Sequence, residues 1–431
     1  MKKTRMLPGL VTRPSEYIYI SLFGASQATL WQSLHTIIIP VLLLNMVPSS
    51  EKNSYLGILT FCGLIIAMLV QPVAGALSDQ SGFKLGKRMP FVFFGGMLTI
   101  LVLPLVGLAP GYSILFISYC ILQLVSNIGQ GANIGLIPDL VSLSKRGVAA
   151  GVKTCIEVFA GAVFLGIAIA PLMNGYAYNH EDNYLWFALG LLALLVLLAV
   201  IAMLSTIREL APKSAGRRFQ ISDIFRAYIF NIGTDKRFLI FITSRLFILM
   251  AFGTLQGFAL YYIQDVVQIP NAVSMAGNLT MVTGILLLLS AYPAGHLSDK
   301  IGRRPVILVS SIFGIAGITI LLLTRDASGV LVSGALLGIA GGSFMSTSWA
   351  LGTDLVPLDE AARYLGLTNI ASAGSGALAR LIGPVIDHLN VQASGFGYTI
   401  MLIACILYFV VGTILVMFIK EKRNVVARAE S

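Results

Sequence analysis

The chain has 431 residues, of which 57% are hydrophobic and 11% charged, with a formal net charge of +10 and a mean hydropathy of +0.87. A soluble globular chain carries roughly 25% charged residues, so this composition excludes an ordinary water-soluble protein. The apolar runs are long and do not alternate with period two, which excludes a transmembrane β-barrel and predicts an all-α membrane protein.

Twelve apolar segments predict twelve transmembrane helices. Most approach or exceed the roughly 20 residues that a helix needs to cross a hydrocarbon core of ~30 Å. The first is too long for the apolar part of a signal peptide, so we interpret it as a span. The predicted spans are 17–46, 54–77, 90–108, 112–138, 147–176, 183–205, 237–264, 272–294, 305–323, 329–353, 361–387 and 396–420.

The longest connection separates six spans from six and sets the predicted domain organisation. We expect an N-terminal six-helix bundle at 1–205, a cytoplasmic linker at 206–236, a C-terminal six-helix bundle at 237–420 and a cytoplasmic tail at 421–431. Within 221–230 the apolar residues recur at i, i+3, i+4, i+7 and i+8. This spacing predicts a short helix that lies in the membrane interface and joins the two halves.

The Lys and Arg residues predict the orientation. If both termini are cytoplasmic, 25 of the 29 basic residues fall on the cytoplasmic side, and only Lys52 and Arg325 fall on the opposite side. This asymmetry predicts a multi-pass protein of the cell membrane with both termini inside. Contact with anionic lipid headgroups then accounts for the positive net charge better than nucleic-acid binding does.

An internal repeat marks the cytoplasmic side of both halves. Gly75-Ala-Leu-Ser-Asp79 ends span 2 and Gly295-His-Leu-Ser-Asp299 ends span 8, and the basic turns Gly86-Lys-Arg-Met-Pro90 and Gly302-Arg-Arg-Pro305 follow them. Opposite charges placed this way predict a doubled ion-paired gate, whereas a basic turn alone would only mark topology. The predicted gate residues are Asp79, Lys87, Arg88, Asp139, Asp299, Arg303, Arg304 and Asp354.

The doubled motif is similar to the signature of the major facilitator superfamily. Within it, the first half resembles the sucrose–proton symporters and the related glycoside–pentoside–hexuronide cation symporters. The matching residues are Trp31 and Pro40 in span 1, Met68-Leu-Val-Gln-Pro72 in span 2, and Asn127-x-x-Gln130-Gly131 in span 4. The resemblance implies two pseudo-symmetric six-helix bundles and the uptake of a sugar or glycoside together with a cation.

Polar side chains inside the apolar spans are candidate binding groups, because burying them in a bilayer is costly. In span 4, Gln123, Asn127 and Gln130 lie at i, i+4 and i+7, so they share one face and offer amide donors and acceptors to a hydroxyl-bearing solute. In span 1, Gln32 and His35 lie at i and i+3. Hydrogen bonding between helices is the alternative explanation for all five residues.

Two charged residues inside spans are further candidates. Glu157 in span 5 is predicted to bind the coupling proton or other cation, because burial penalises its charged form. A permanent ion pair with Lys153, one turn away, is the alternative. Arg245 in span 7 needs a partner, which we expect to be Glu157, a substrate oxygen or a helix-end carbonyl. We therefore include Arg245 in the predicted substrate site.

The sequence holds no catalytic, metal-binding or cofactor motif, and it lacks the phosphate-binding loop that ATP would need. We therefore predict a secondary active transporter that is not an enzyme and needs no cofactor. It is expected to act as a monomer and to move a small polar solute by alternating access, coupled to H⁺ or Na⁺. Proton-driven efflux of a drug or metabolite is the alternative, because Gly161, Gly166 and Ala170-Pro171 partly match the glycine–proline pattern of drug antiporters.

Overall fold

The computed structural model describes residues 14–83, 86–142, 145–179, 181–207, 209, 236–355 and 361–419. Within these ranges, eleven helices are long and apolar enough to cross a membrane. They are α1 (Glu16–Leu44), α2 (Lys52–Asp79), α3 (Met89–Gly107), α4 (Tyr112–Leu140), α5 (Arg146–Asn179), α6 (Asp182–Thr206), α7 (Lys236–Val267), α8 (Ala272–Ile301), α9 (Arg303–Leu323), α10 (Ala327–Leu355) and α12 (Phe396–Met417).

The remaining predicted span, 361–387, differs from the prediction of one continuous apolar helix. The element α11 consists of two helical segments, Ala361–Arg380 and Gly383–Gln392, and it is not among the eleven apolar helices. Pro384 lies in the first turn of the second segment, where proline is tolerated because its missing N–H would have no partner in the helix. The break and the many small and polar residues around it explain the lower hydropathy of α11.

Three of the spanning helices contain a π-helical turn, which holds one more residue than the α-helical turn it replaces. These turns are Leu34–Ile38 in α1, Leu165–Ile169 in α5 and Ile263–Val267 in α7. Such turns inside α-helices frequently occur at functional sites. The turn in α1 contains His35, one of the predicted substrate-binding residues.

The helices form two compact units. The first contains α1–α6 together with Pro270–Met281, and the second contains α7, the rest of α8 and α9–α12. In the first unit, α1 packs against α5 and α6, and α3 packs against α4; in the second unit, α7 packs against α11 and α12, and α9 packs against α10. Each pair recurs six helices later, as an internal duplication requires.

The predicted domain limits stay a prediction. The interfacial helix expected at 221–230 and the tail at 421–431 lie outside the described residues, as does most of the expected linker.

Candidate functional site

A chain of hydrogen-bonded polar side chains joins α1, α4 and α2 inside the first unit. His35 Nε2 lies 2.8 Å from the hydroxyl oxygen of Tyr119, and Gln123 Nε2 donates to that oxygen at 2.8 Å. Asn127 Nδ2 donates to Gln123 Oε1 at 2.9 Å, and Gln71 Nε2 donates to Asn127 Oδ1 at 2.7 Å. We call these five residues the polar chain; they place amide, phenol and imidazole groups within membrane-spanning helices.

Aromatic rings border one end of the polar chain. The ring centroids of Trp31 and His35 are 5.3 Å apart, and both rings lie within 6.1 Å of the Tyr119 ring. Trp31 Nε1 donates to Ser126 Oγ at 3.1 Å, and Ser126 in turn donates to Gln27 Oε1 at 2.6 Å. The three rings form an aromatic cluster whose polar edges are held in place by hydrogen bonds.

The polar chain contains three of the five uncharged residues predicted for the substrate site, namely His35, Gln123 and Asn127. The other two are Gln32 and Gln130. Gln32 Nε2 donates to Thr36 Oγ1 on the same helix at 3.3 Å. Gln130 Oε1 is buried and has no hydrogen-bond partner within the described part of the chain. Sharing a helix face with Gln123 was therefore not enough to bring Gln130 into the chain.

Sequence reasoning missed two members of the polar chain. Tyr119 was not singled out, although it is fully buried and its hydroxyl needs a partner. Gln71 stands in an apolar span directly before Pro72 and was noted only for its likeness to the symporter motif. Both residues carry the signal used for the others, a polar group at membrane depth.

The carboxylate of Glu157 lies against α1 at a position where the helix has no side chain. An ideal Cβ built at Gly24 would stand 1.9 Å from Glu157 Oε1, so only glycine leaves room for the carboxylate. Lys153 Nζ is 3.7 Å from the same oxygen, which forms no hydrogen bond with any described residue. The expected ion pair between Lys153 and Glu157 is therefore present, but the distance between its nitrogen and oxygen is too long for a hydrogen bond.

Arg245 is buried in the second unit, with 3% of its surface exposed. Its Nε donates to Ser372 Oγ at 3.2 Å, and its Nη1 donates to Ser348 Oγ. The guanidinium carbon lies 6.0 Å from the ring centroid of Phe344. Among the described residues its partners are thus two serine hydroxyls, which the sequence did not predict.

Arg88 is the centre of an ionic cluster in the first unit, where α2 ends and α3 begins. Its Nη2 donates to Asp79 Oδ1, its Nε donates to Asp139 Oδ2 at 2.9 Å, and its Nη1 donates to Ser78 Oγ at 2.8 Å. Lys87 Nζ lies 3.0 Å from Asp139 Oδ2 and 3.6 Å from Asp79 Oδ1. The two predicted aspartates and both predicted cations thus meet; we call them the first ionic cluster.

Glu209, which sequence reasoning left in the linker, supports this cluster from the end of α6. Its Oε2 accepts hydrogen bonds from the backbone N–H groups of Arg88 at 2.6 Å and Met89 at 3.0 Å, where α3 begins. A carboxylate there satisfies helix donors that have no partner within the helix. Burial raises the pKa of Glu209, nearby Asp139 raises it further, and the two backbone N–H groups oppose the rise.

The turn at Gly86 depends on glycine for two reasons. Its φ is +105°, which disfavours residues with a side chain. A Cβ at this position would also stand 2.3 Å from Glu209 Oε2.

The second unit holds a matching ionic cluster around Arg303. Its Nη1 donates to Asp299 Oδ1 and to Ser298 Oγ at 2.7 Å, and its Nε donates to Asp354 Oδ2 at 3.2 Å. Arg303 therefore takes the position that Arg88 holds in the first unit. The next residue, Arg304, stays a predicted gate residue. We call Asp299, Arg303 and Asp354 the second ionic cluster.

Comparison with known proteins finds a matching family model and related transport proteins. A family model described as MFS/sugar transport protein matches residues 22–364. The multidrug resistance protein MdtG of Escherichia fergusonii is 22% identical over 361 residues, which cover 84% of this chain and 83% of that protein. MdtG of Escherichia coli strain SMS-3-5 is 25% identical over 269 residues, covering 62% of this chain and 61% of that protein.

A solved structure offers a fold comparison. A mutant of the nucleoside transporter NupG superimposes with a TM-score of 0.68 at 14% identity, covering 93% of this chain and 98% of that one. At this identity the likeness concerns the fold alone, and it confirms the predicted fold class.

Proposed function

We propose that this chain imports a small hydroxyl-rich solute such as a sugar or glycoside. The chain belongs to the MFS/sugar transport protein family, and it is a multi-pass membrane transporter and not an enzyme. The observation that carries the proposal is the polar chain. Its amide, phenol and imidazole groups offer both donors and acceptors, which can replace the water that solute hydroxyls lose on entering the protein. The aromatic cluster adds faces on which a sugar ring can stack.

Within this proposal, His35, Gln123 and Asn127 bind the solute directly, together with Tyr119 and Gln71. The predicted roles of Gln32, Gln130 and Arg245 in solute binding are kept as part of the same proposal, because each is a polar residue within a spanning helix.

The proposed energy source is a gradient of H⁺ or Na⁺, with Glu157 as the coupling residue. One of its oxygens is buried beside Gly24 without a hydrogen bond, and Lys153 is its nearby cation. Binding of a proton would remove the attraction between the two side chains and would let Lys153 move. Such a two-state pair suits a carrier that alternates its access between the two sides of a membrane.

The two ionic clusters are proposed to act as gates at the cytoplasmic side of a monomeric carrier in the cell membrane. The distribution of the 29 basic residues supports cytoplasmic termini. If the clusters are gates, Asp79→Asn and Asp299→Asn should each reduce the rate of solute uptake. Unchanged rates in both variants would remove this part of the proposal.

Transport by the purified protein in proteoliposomes tests the main proposal. We expect labelled sugars or glycosides to accumulate when an inward proton or sodium gradient is imposed, and an uncoupler to abolish proton-driven accumulation. Gln123→Ala should lose binding, whereas Asn133→Ala, which removes a buried amide of α4 outside the polar chain, should keep most of it. Glu157→Gln should allow exchange of solute but no accumulation. An absence of gradient-driven flux across the sugar and glycoside panel would overturn the proposal.

Proton-driven efflux of a drug or metabolite is the second candidate. It is favoured by the similarity over 84% of the chain to a protein named for multidrug resistance. The aromatic cluster would then stack on an aromatic compound instead of a sugar. Everted membrane vesicles separate the two directions: efflux predicts that an acidic lumen drives compound into the vesicle, whereas symport predicts that it drives solute out.

A further inference from the structure

Two buried arginines of this protein have different partners. Arg88 pairs with two carboxylates, Asp79 and Asp139. Arg245 is buried to a similar degree, but its hydrogen bonds go to the hydroxyls of Ser348 and Ser372. Among the described residues, no carboxylate lies within ion-pair distance of the Arg245 guanidinium.

Serine hydroxyls satisfy hydrogen-bond donors, but they bring no negative charge. A guanidinium moved out of water loses favourable hydration, and a negative partner restores much of it. A guanidinium also offers five N–H donors in a planar fork, of which the described residues use two. Arg245 therefore keeps both charge and donors for a further group.

The surroundings of Arg245 fix the orientation of its fork. The Phe344 ring covers one face, with its centroid 6.0 Å from the guanidinium carbon. Ser372 donates its own hydrogen to the carbonyl oxygen of Thr368 at 2.9 Å, so its oxygen is held as an acceptor for Arg245 Nε. Ser348 accepts from Nη1 and makes no donated hydrogen bond within the described part of the chain, which leaves its O–H for an anion.

We propose that Arg245 and Ser348 bind an oxyanion group, a carboxylate or a phosphate, carried by the transported solute. The planar fork of arginine matches the paired oxygens of these groups, and the Ser348 hydroxyl adds a third donor beside it. The inference rests on the proposed function, because it adds an acidic group to the solute that the protein is proposed to transport.

Thermal unfolding of the purified full-length protein in detergent tests anion binding without any need for flux. Formate and phosphate serve as probes for a carboxylate and a phosphate, titrated against chloride at constant ionic strength. A ligand that binds only the folded state raises the unfolding temperature in a saturable way. We expect such a rise for at least one probe, and the probe that acts at lower concentration identifies the preferred group.

Variants test whether the rise in unfolding temperature depends on Arg245. Arg245→Lys, which keeps the charge and loses the fork, should raise the half-saturating concentration about tenfold or more, and Arg245→Gln should abolish the saturable rise. Arg325→Gln, which removes an exposed arginine, is the matched control and should behave like the unaltered protein. If Arg245→Gln does not fold, Ser348→Ala decides, with an expected weakening of about fivefold to tenfold.

Three results would overturn the proposal: no difference between the probes and chloride in the unaltered protein, an equal saturable rise in Arg245→Gln, or unchanged affinity in both Arg245→Lys and Ser348→Ala. Any of these would leave Arg245 as a tie between α7, α10 and α11. Because the readout is equilibrium binding, it separates failure of anion recognition from failure of the proposed transport.

Discussion

The two ionic clusters have the same arrangement of contacts, but the side chains of the first are more buried than those of the second. In the first, 8% of the Arg88 side chain and 23% of the Asp139 side chain are exposed. In the second, the corresponding values are 18% for Arg303 and 50% for Asp354. Exposed ion pairs are screened by water and salt, whereas a buried pair that loses one partner leaves an uncompensated charge. The first half therefore depends more on its cluster than the second half does.

A one-residue difference in the turn accounts for part of this contrast. In the first unit Arg88 is two residues after Gly86, and in the second unit Arg303 directly follows Gly302. Both glycines have a positive φ, so the turns begin alike. The additional residue is Lys87, which brings a second cation to the two aspartates. The duplication has preserved the contacts of the arginine, although its spacing from the turn glycine differs by one residue.

The largest expected difference between the clusters follows from removing their central arginines. Arg88→Gln leaves the largely buried Asp139 with Lys87 as its remaining cation and should lower the free energy of unfolding by about 2–3 kcal/mol. Arg303→Gln, the matched change, should cost about 1 kcal/mol because its partners are half exposed. Denaturation of both variants in detergent measures the difference, and equal losses would refute the proposed contrast.

The next largest difference is expected from alanine substitutions at the two glycines with positive φ. Both Gly86→Ala and Gly302→Ala force a side chain into a disfavoured backbone conformation, at a cost of about 1–3 kcal/mol. Gly86→Ala also pushes against Glu209 and should be the more damaging of the two. Unfolding temperatures provide the comparison; a larger loss for Gly302→Ala would contradict the assigned role of Glu209.

The pH dependence of stability tests Glu209 itself. Because its folded pKa is raised above the ordinary carboxyl value of 4.5, the folded state binds this proton more tightly than the unfolded state. The contribution of Glu209 is therefore most favourable at low pH and is lost as pH rises through the raised pKa. Relative to Glu209→Gln, the unaltered protein should gain stability as pH falls from 7 towards about 5. A pH series of unfolding temperatures checks this, and a difference of the opposite sign would rule it out.

The smallest expected effect belongs to the additional lysine. Lys87→Met should cost about 0.5 kcal/mol, since Lys87 is partly exposed and Arg88 still pairs with both aspartates. The variant should also make the stability of the protein less sensitive to salt, because salt screens the partly exposed pairs of Lys87. A stability loss as large as that of Arg88→Gln would show that Lys87 is a second centre of the cluster.

The sequence was informative wherever composition or local spacing decides the structure. Hydropathy predicted twelve spans, of which eleven are apolar helices in the described residues, and the repeated motif predicted aspartates and basic residues that meet in each ionic cluster. The element α11 escaped this reasoning, because small and polar residues weaken its apolar signal and Pro384 follows a break that hydropathy does not reveal.

The site was harder to predict because its contacts join distant parts of the chain. Gln123 and Asn127 were found through helix spacing, but Gln71 is 56 residues from its partner. Glu209 is 121 residues from the N–H of Arg88, and Arg245 is more than 100 residues from each of its serines.

The π-helical turn Leu34–Ile38 has a consequence for how this transporter can diverge. Because a π turn contains one residue more than an α turn, deleting a single residue from it would restore an ordinary helix. The residues before the turn, including Trp31, would then rotate by about 100° around the helix axis relative to those after it. A deletion of one codon would thus either turn Trp31 away from the residues after the turn or pull Gly24 away from Glu157, so the extra residue limits how α1 can change.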